Sequence, residues 1–376
     1  RQQLLQESIR RACCIIATSE QVRAELIARW STEKERICVI APETDTRAQA
    51  KTMLVVYQAA LDRPRALSRV LESKLPVTEQ NLPGVSVIIP ASRLKKANQT
   101  LAALKAQSYR GRFETIVVGP PARALASCWP IIAVPTGPVC EPGKARNLGA
   151  TQAKGEILLF LDDDVIVAED WVEKNVCVLQ QPNVGVVGAR IVGKSHAFFA
   201  RCIDFTNYGH YQHRHPFDGP VASSSMGIAR TIFHEVGGFN ETLCSGEDID
   251  LCYRVQKQGY RSVYRPDILV IHDHQRTTFS KLLRYNYGHG LAGGLKTKIQ
   301  HRDSTLKNRL LCSLRFPLLF LPFLPAIALL ATLHIVVLNI GDNKRVLLYA
   351  PFIFLGKLAY ELGVFVSILL DAFGVI

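Results

Sequence analysis

Residues 143–165, GKARNLGATQAKGEILLFLDDDV, decide how the middle of this chain folds. The small residues of the first half predict a helix, and residues 156–161 are apolar on both faces, as a central strand of a parallel sheet should be. Asp162, Asp163 and Asp164 follow that strand directly. Because ligands of open α/β sheets bind outside the carboxyl ends of strands, the three aspartates are expected at a ligand site.

Apolar segments alternate with helical ones on both sides of this stretch. Residues 85–90, 115–119 and 131–134 predict strands, and residues 98–107 predict a helix with leucines on one face. This βαβ alternation predicts an α/β fold with a doubly wound, mostly parallel sheet.

The aspartate triplet has two interpretations. If the segment stays extended, Asp162 and Asp164 project to one side and offer the oxygen ligands that Mg²⁺ or Mn²⁺ prefers, and the cation could also hold a diphosphate. The alternative is an exposed acidic turn that caps the next segment.

A second acidic group opens a predicted helix in SGEDIDLCYR, where Glu247, Asp248 and Asp250 fall within four positions. Acids at a helix start ordinarily complement its dipole. Three of them exceed what one cap needs, and the turn at Gly237 and Gly238 just upstream can place the helix start beside a pocket. A carboxylate there is a candidate general base.

These motifs together resemble glycosyltransferase family 2, whose members are inverting enzymes with a GT-A fold. The resemblance spans about residues 84–275 and rests on their order: VSVIIP, AQSY, ETIVV, GKARNLGATQAKGEILLFLDDDV, VGGFNETLCSGEDIDLCYRVQKQGY and VIHDH. It implies a GT-A domain, Rossmann-like with a mostly parallel sheet, at residues 84–295. It also implies a nucleotide-sugar donor and a divalent metal, Mg²⁺ or Mn²⁺.

The resemblance also assigns roles to individual residues. It makes the triplet a DxD element, with Asp162 and Asp163 at the donor diphosphate and Asp162 and Asp164 at the metal. It makes Asp248 the catalytic base, with Glu247 as the rival. The remaining residues that it places in the site are Pro90, Lys144, Arg146 and Asn147 at the donor and His272 at the metal. Lys144 has a solvated surface position as its alternative, and His272 a structural hydrogen bond.

Two departures from the family pattern limit what is implied. Gly119, Pro120 and Pro121 stand where the family usually carries aspartates, one of which contacts the nucleobase. No QxxRW sequence follows Tyr285, so transfer of a single sugar is expected rather than processive synthesis.

The end of the chain is strongly apolar and predicts one or two transmembrane helices in residues 316–376. Residues 316–341 contain no Asp, Glu, Lys or Arg, and as a helix they would reach about 39 Å, enough to cross a bilayer core. Residues 346–376 are interrupted by Lys357, Glu361 and Asp371, so they predict either a second span or an interfacial helix.

Net charge indicates an anionic partner: 45 Lys and Arg against 32 Asp and Glu give +13. Six basic residues and one acid occupy residues 296–315, a basic juxtamembrane segment that the positive-inside rule places on the cytoplasmic side. Aromatic residues are sparse there, so we expect a membrane rather than nucleic acid as the partner.

Residues 1–83 predict a small α/β extension and a linker. IIATSEQVRAELIARW and ERICVIAPETD, within residues 9–47, resemble part of glycosyltransferase family 4, which implies a remnant without activity of its own.

The expected protein is a membrane-anchored, metal-dependent inverting glycosyltransferase, placed in the bacterial inner membrane with a cytoplasmic catalytic domain. It would move one sugar to a lipid-linked saccharide or another membrane-associated acceptor. The alternative is a degenerate GT-A domain that acts as a non-catalytic membrane-bound assembly partner. A nucleotidyl transferase is a third possibility, and the sequence leaves the oligomeric state open.

Overall fold

The chain divides into two compact units, residues 1–81 and 82–376. In the first unit, strand β1 (Ile15–Ala17) pairs in parallel with β2 (Ile37–Val39). The computed structural model describes these two strands by their backbone, together with residues 82–138, 140–292 and 321–372. The rest of the family 4-like segment and the basic segment 296–315 lie outside the described residues, so the boundaries drawn there remain predictions.

A single sheet of nine strands organises the second unit. These strands are β3 (Val85–Pro90), β4 (Phe113–Val118), β5 (Ile132–Val134), β6 (Ile157–Leu161), β7 (Val165–Val167), β8 (Val184–Gly193), β9 (Phe217–Asp218), β10 (Ser225–Ala229) and β11 (Arg261–His272). Their order is β5-β4-β3-β6-β10-β8-β11-β7, with β9 paired to β11. The pairs β5-β4, β4-β3 and β3-β6 are parallel, whereas β10 runs antiparallel to β6 and β8.

Helices cover both faces of this sheet and extend beyond it. They are α1 (Leu94–Lys105), α2 (Ala122–Ala126), α3 (Pro142–Gln152), α4 (Trp171–Leu179), α5 (Phe198–Tyr208), α6 (Arg230–Glu235), α7 (Glu247–Lys257), α8 (Phe279–Leu291), α9 (Leu324–Ile340) and α10 (Val346–Ala372). The predicted α/β class with a Rossmann-like sheet is confirmed.

Successive side chains of the central strands point to opposite faces of the sheet, so each strand contributes to a hydrophobic cluster on either face. In β3, Val87 and Ile89 pack into the hydrophobic cluster on one face of the sheet, and Ile88 packs into the cluster on the other. All three side chains are fully buried. The residues of β6 are likewise divided between the two clusters, and this strand, apolar at every position, is the one that the sequence predicted to be central.

Two apolar helices follow the sheet domain. Leu321–Ile340 and Val346–Leu370 are each long and apolar enough to cross a membrane, with mean hydropathies of 2.3 and 1.9. They pack on the sheet domain as well as on each other: Asn339 donates to the carbonyl of Gly209, and the ring of Tyr349 stacks on Phe205. The faces turned away stay apolar and exposed, as at Val337 and Leu348. Exposed apolar faces of this kind mark contact with lipid or protein.

Glycines allow α8 and α10 to approach closely. A Cβ at Gly290 would lie 2.0 Å from the carbonyl oxygen of Tyr360, and one at Gly363 would lie 2.2 Å from that of Tyr287. Backbone atoms cannot yield as a flexible side chain can, so both positions require glycine.

We therefore expect Gly290→Ala to destabilise the full chain by about 1–3 kcal/mol, the usual cost of overpacking. Gly288→Ala is the matched control, because a Cβ at Gly288 of the same helix meets nothing within 4 Å. That control should leave stability unchanged or raise it by up to about 1 kcal/mol through helix propensity. Thermal unfolding in detergent measures both, and equal effects of the two substitutions would show that the helices do not meet here.

Candidate active site

A cavity of about 800 Å³ opens at the carboxyl ends of β3, β4 and β6. The aspartate triplet after β6 and the Glu247–Asp248 pair at the start of α7 both line it. The two acidic motifs, more than eighty positions apart in the sequence, therefore face one space. Pro90 at the end of β3 lines the cavity too, and its contact with the donor stays a prediction.

Arg146 joins the two acidic motifs. Its guanidinium donates to Oδ1 of Asp162 and to Oε1 of Glu247, both at 2.8 Å, and its side chain is only 3% exposed. Burial opposes the charge of this group, but the carboxylates of Asp162 and Glu247 outweigh burial and raise the pKa of Arg146. The arginine predicted to meet the donor thus holds the two motifs together.

Asp163 and Asp164 share a second arginine, Arg93, which lies between β3 and α1. The carboxylate of Asp163 accepts from the backbone N–H groups of Ser92 and Arg93, at 2.8 and 3.0 Å, and pairs with the Arg93 guanidinium. These bonds of Asp163 therefore fix the start of α1. A contact of Asp163 with a donor stays a prediction. Sequence reasoning missed Arg93, although a cation in a turn between a strand and a helix was a usable signal.

Asp164 lies between a guanidinium and an imidazole. Its Oδ2 is 2.9 Å from the Arg93 guanidinium, and its Oδ1 is 3.1 Å from Nε2 of His272. Burial alone would raise the pKa of Asp164, but His272 and Arg93 lower it to about 2. Strand pairing explains the contact, because His272 ends β11 opposite Val165 of β7. Asp164 is therefore ionised at neutral pH.

The predicted metal ligands fit a divalent cation in part. Asp164 Oδ1 and His272 Nε2 are close enough to share one ion, and carboxylate and imidazole are both suitable ligands. Asp162 instead points at Arg146. Within the described residues, no group of three or more His, Cys, Asp or Glu side chains could hold a metal on its own. A cation here would need further oxygen ligands from water or from a bound diphosphate.

Asp248 differs from its neighbour Glu247. Its Oδ2 accepts from the N–H of Ser223 at 3.0 Å and its Oδ1 from the N–H of Ile249 at 2.8 Å, which fixes the carboxylate at the cavity wall. Burial, reinforced by the negative charge of Glu247, raises the pKa of Asp248 to about 6. Glu247 is itself committed to Arg146. Of the two, Asp248 is the group available to take a proton.

Two predicted donor residues do not line the cavity. Lys144 is exposed on α3. The Asn147 side chain donates to the carbonyl of Phe239 at 2.8 Å and accepts from its N–H at 2.9 Å. These two bonds anchor the turn before α7. That turn runs through Gly237 and Gly238, both with positive φ. A role of Lys144 or Asn147 in donor binding therefore stays a prediction.

The backbone explains why Gly119 stands where the family usually carries an aspartate. Gly119 has φ of 144°, and a Cβ there would lie 1.9 Å from the carbonyl oxygen of Ala91. No aspartate fits at that position. The cavity wall at this point consists of Gly119 and Pro120.

The opposite wall was not predicted. It is formed by α8 and by the apolar helix α10, which contributes Lys357, Tyr360 and Glu361. Arg276, just before α8, lies 3.7 Å over the ring of Tyr285. The sequence showed Lys357 and Glu361 as interruptions of an apolar segment, which was the available signal for a polar site within it.

The shared guanidinium generates a stability prediction. Arg146→Gln should lower the free energy of unfolding by about 3–5 kcal/mol, because it leaves buried carboxylates without their cation. Adding Glu247→Gln should recover part of that loss. Unfolding midpoints of the single and double variants measure the coupling, and strictly additive costs would show that the pair is not energetically linked.

Parts of the chain are similar in sequence to known glycosyltransferases. A pre-mycofactocin glycosyltransferase of Mycobacterium tuberculosis is 30% identical over 172 residues, which cover 44% of this chain and 36% of that protein. Glycosyltransferase AglE of Haloferax volcanii is 24% identical over 219 residues, covering 55% and 71%. The chain thus spans about a third of the mycobacterial relative.

A solved structure shares the fold. The mannosyltransferase PcManGT of Pyrobaculum calidifontis, determined with GDP-Man and Mn²⁺, superimposes with a TM-score of 0.53 at 19% identity, covering 86% of this chain and 96% of that one. At that identity the likeness establishes the GT-A fold alone.

The family model described as glycosyltransferase-like family 2 matches residues 83–287. That range is more than half of the chain and contains the aspartate triplet, Arg146 and Asp248. The resemblance found in the sequence motifs is thereby confirmed, and the chain belongs to glycosyltransferase family 2.

Proposed function

We propose that this protein is an inverting glycosyltransferase that transfers one sugar from a nucleotide-sugar donor to a membrane-associated acceptor, such as a lipid-linked saccharide. The observation that carries the proposal is the convergence of the aspartate triplet and Asp248 on one cavity. One motif supplies a place for the donor diphosphate, and the other supplies a base for the acceptor.

Asp248 takes the proton in the proposed reaction. The acceptor hydroxyl loses its proton to Asp248 as its oxygen attacks the anomeric carbon of the donor sugar. The bond from that carbon to the diphosphate oxygen breaks in the same step, so the configuration inverts and a nucleoside diphosphate leaves. Two backbone N–H groups orient the carboxylate, and its raised pKa makes it a stronger base than an exposed aspartate.

Cations are available to meet the leaving diphosphate. Arg93 and Arg276 both line the cavity, and the Arg93 side chain is 45% exposed to solvent. A divalent ion held by Asp164 and His272, with Asp162 nearby, would neutralise charge on the diphosphate. Both Mg²⁺ and Mn²⁺ suit such ligands.

The acceptor side of the cavity favours a membrane substrate. Its wall includes residues of α10, a helix apolar enough to cross a membrane. Charged residues in such helices usually face the protein interior or a polar cavity, and Lys357 and Glu361 line this one. The proposal therefore places the protein in a membrane, in bacteria the inner membrane, with the sheet domain on the cytoplasmic side.

Incubating the full chain in detergent with Mn²⁺ or Mg²⁺ and a panel of nucleotide sugars tests the activity. We expect hydrolysis or transfer with at least one donor, and loss of it in Asp164→Ala. Asp170→Ala is the control, since Asp170 is an exposed acid paired with Lys174 away from the cavity. Failure to bind any donor would favour the non-catalytic assembly partner instead.

The base assignment predicts a specific loss of turnover. Asp248→Asn should lower turnover by about 10²–10⁴ while donor binding persists. Asp250→Asn is a matched control on the same helix turn, because Asp250 bonds Arg254 at 2.8 Å and does not line the cavity. Once folded, that variant should retain near wild-type turnover. Unchanged turnover in Asp248→Asn would place the base elsewhere.

The pH dependence follows from the same group. A base must be deprotonated to act, so the raised pKa of about 6 predicts full activity above that pH. Below it, kcat/KM should fall about tenfold per pH unit as Asp248 becomes protonated. A pH profile of the purified chain measures this limb, and a profile that stays flat down to pH 4.5 would contradict the assignment.

A further inference from the structure

A second cavity of about 420 Å³ lies between the sheet domain and the connection that joins α9 to α10. Strand β8 and helix α5 form one side of it, and residues 339–345 and Tyr349 form the other. It shares no lining residue with the first cavity. Helix α5 supplies a wall to each, through Arg201 and Phe205 on one side and Thr206 and Asn207 on the other.

The charge of this cavity is predominantly positive. Arg190, Arg201 and Arg345 line it, with Asp342 as the one acid among the described lining residues. Arg201 is partly committed, because it bonds the carbonyl of Gly193 at 3.1 Å. It also lies 3.5 Å from Asp204, a buried carboxylate that His274 contacts at 3.0 Å.

Arg190 and Arg345 supply the other two positive charges of this cavity. Arg190 donates through Nε to the backbone carbonyl of Gln212 at 2.7 Å, and within the described residues no bond is recorded for its two terminal nitrogens. Arg345 is exposed directly before α10, and its guanidinium bonds none of the described residues. Within the described residues neither guanidinium has a carboxylate partner, and two such groups beside one cavity favour a ligand with several acceptor oxygens.

The location specifies the kind of ligand. The cavity borders the polar connection Asp342, Asn343, Lys344 and Arg345, which interrupts the two apolar helices. If these helices lie in a membrane, such a cluster belongs at the level of the lipid headgroups. Phosphate is the anion that is abundant at that level.

We propose that this cavity binds a phosphate group, carried by an anionic phospholipid headgroup or present as free phosphate. Arg190 and Arg345, which both line the cavity, pair with its charge. The carboxylate of Asp342 does not compete fully, because its Oδ2 accepts from the backbone N–H of Arg214 at 2.6 Å. A bound headgroup would connect the sheet domain to the helix pair independently of the transfer reaction.

Thermal unfolding of the full chain in neutral detergent tests this site. Three additions are compared at matched ionic strength: phosphatidylglycerol, phosphatidylcholine and inorganic phosphate. We expect phosphatidylglycerol to raise the midpoint and phosphatidylcholine to have no effect. An equal rise with inorganic phosphate would identify free phosphate as the ligand. A midpoint that responds neither to phosphatidylglycerol nor to inorganic phosphate would overturn the proposal.

Variants locate the effect. Arg190→Gln with Arg345→Gln should require on the order of tenfold more lipid for the same rise, since two charge-assisted contacts are lost. Arg110→Gln with Arg112→Gln is the matched control, because it removes the same charge from exposed positions that do not line the cavity. A response of the first pair equal to wild type would overturn the site.

Discussion

The guanidinium of Arg146 is the contact on which the rest of the site depends. It is buried, and it bonds one carboxylate from each acidic motif. Without that charge, Asp162 and Glu247 would be partly buried negative groups that lack their cation, a state that favours protonation of one of them. Because Arg146 engages Glu247, Asp248 is the acid at the start of α7 that is available to take a proton, with its pKa raised by burial.

Opposite charges are distributed around the cavity in a definite order. Arg93 holds Asp163 and Asp164, Arg146 holds Asp162 and Glu247, and His272 completes the set beside Asp164. Each carboxylate therefore has a partner even before a ligand binds. A diphosphate that enters this space meets arginines that already neutralise acids, so binding would require these partners to be shared between protein and ligand.

The apolar helices are more than an attachment to the sheet domain. Helix α10 crosses α8 where glycines let the backbones approach, and it then presents polar side chains to the cavity. The connection between α9 and α10 is fixed to the sheet domain by Asn339 and Asp342. Both cavities consequently have one wall from the sheet domain and one from the helix pair.

The sequence alone determined the fold class and most of the acids of the site. A continuous apolar run followed by aspartates is a local signal, and the order of the motifs identified the family. Partners distant in the chain were not available to such reasoning: Arg93 beside Asp164, Arg146 between two motifs, and Lys357 in the wall opposite Asp248. Asn147, expected at the donor, bonds the Phe239 backbone instead. Sequence patterns report which residues are buried or charged, whereas only the packing of strands and helices in three dimensions decides which of them meet, because each contact depends on elements far apart in the chain.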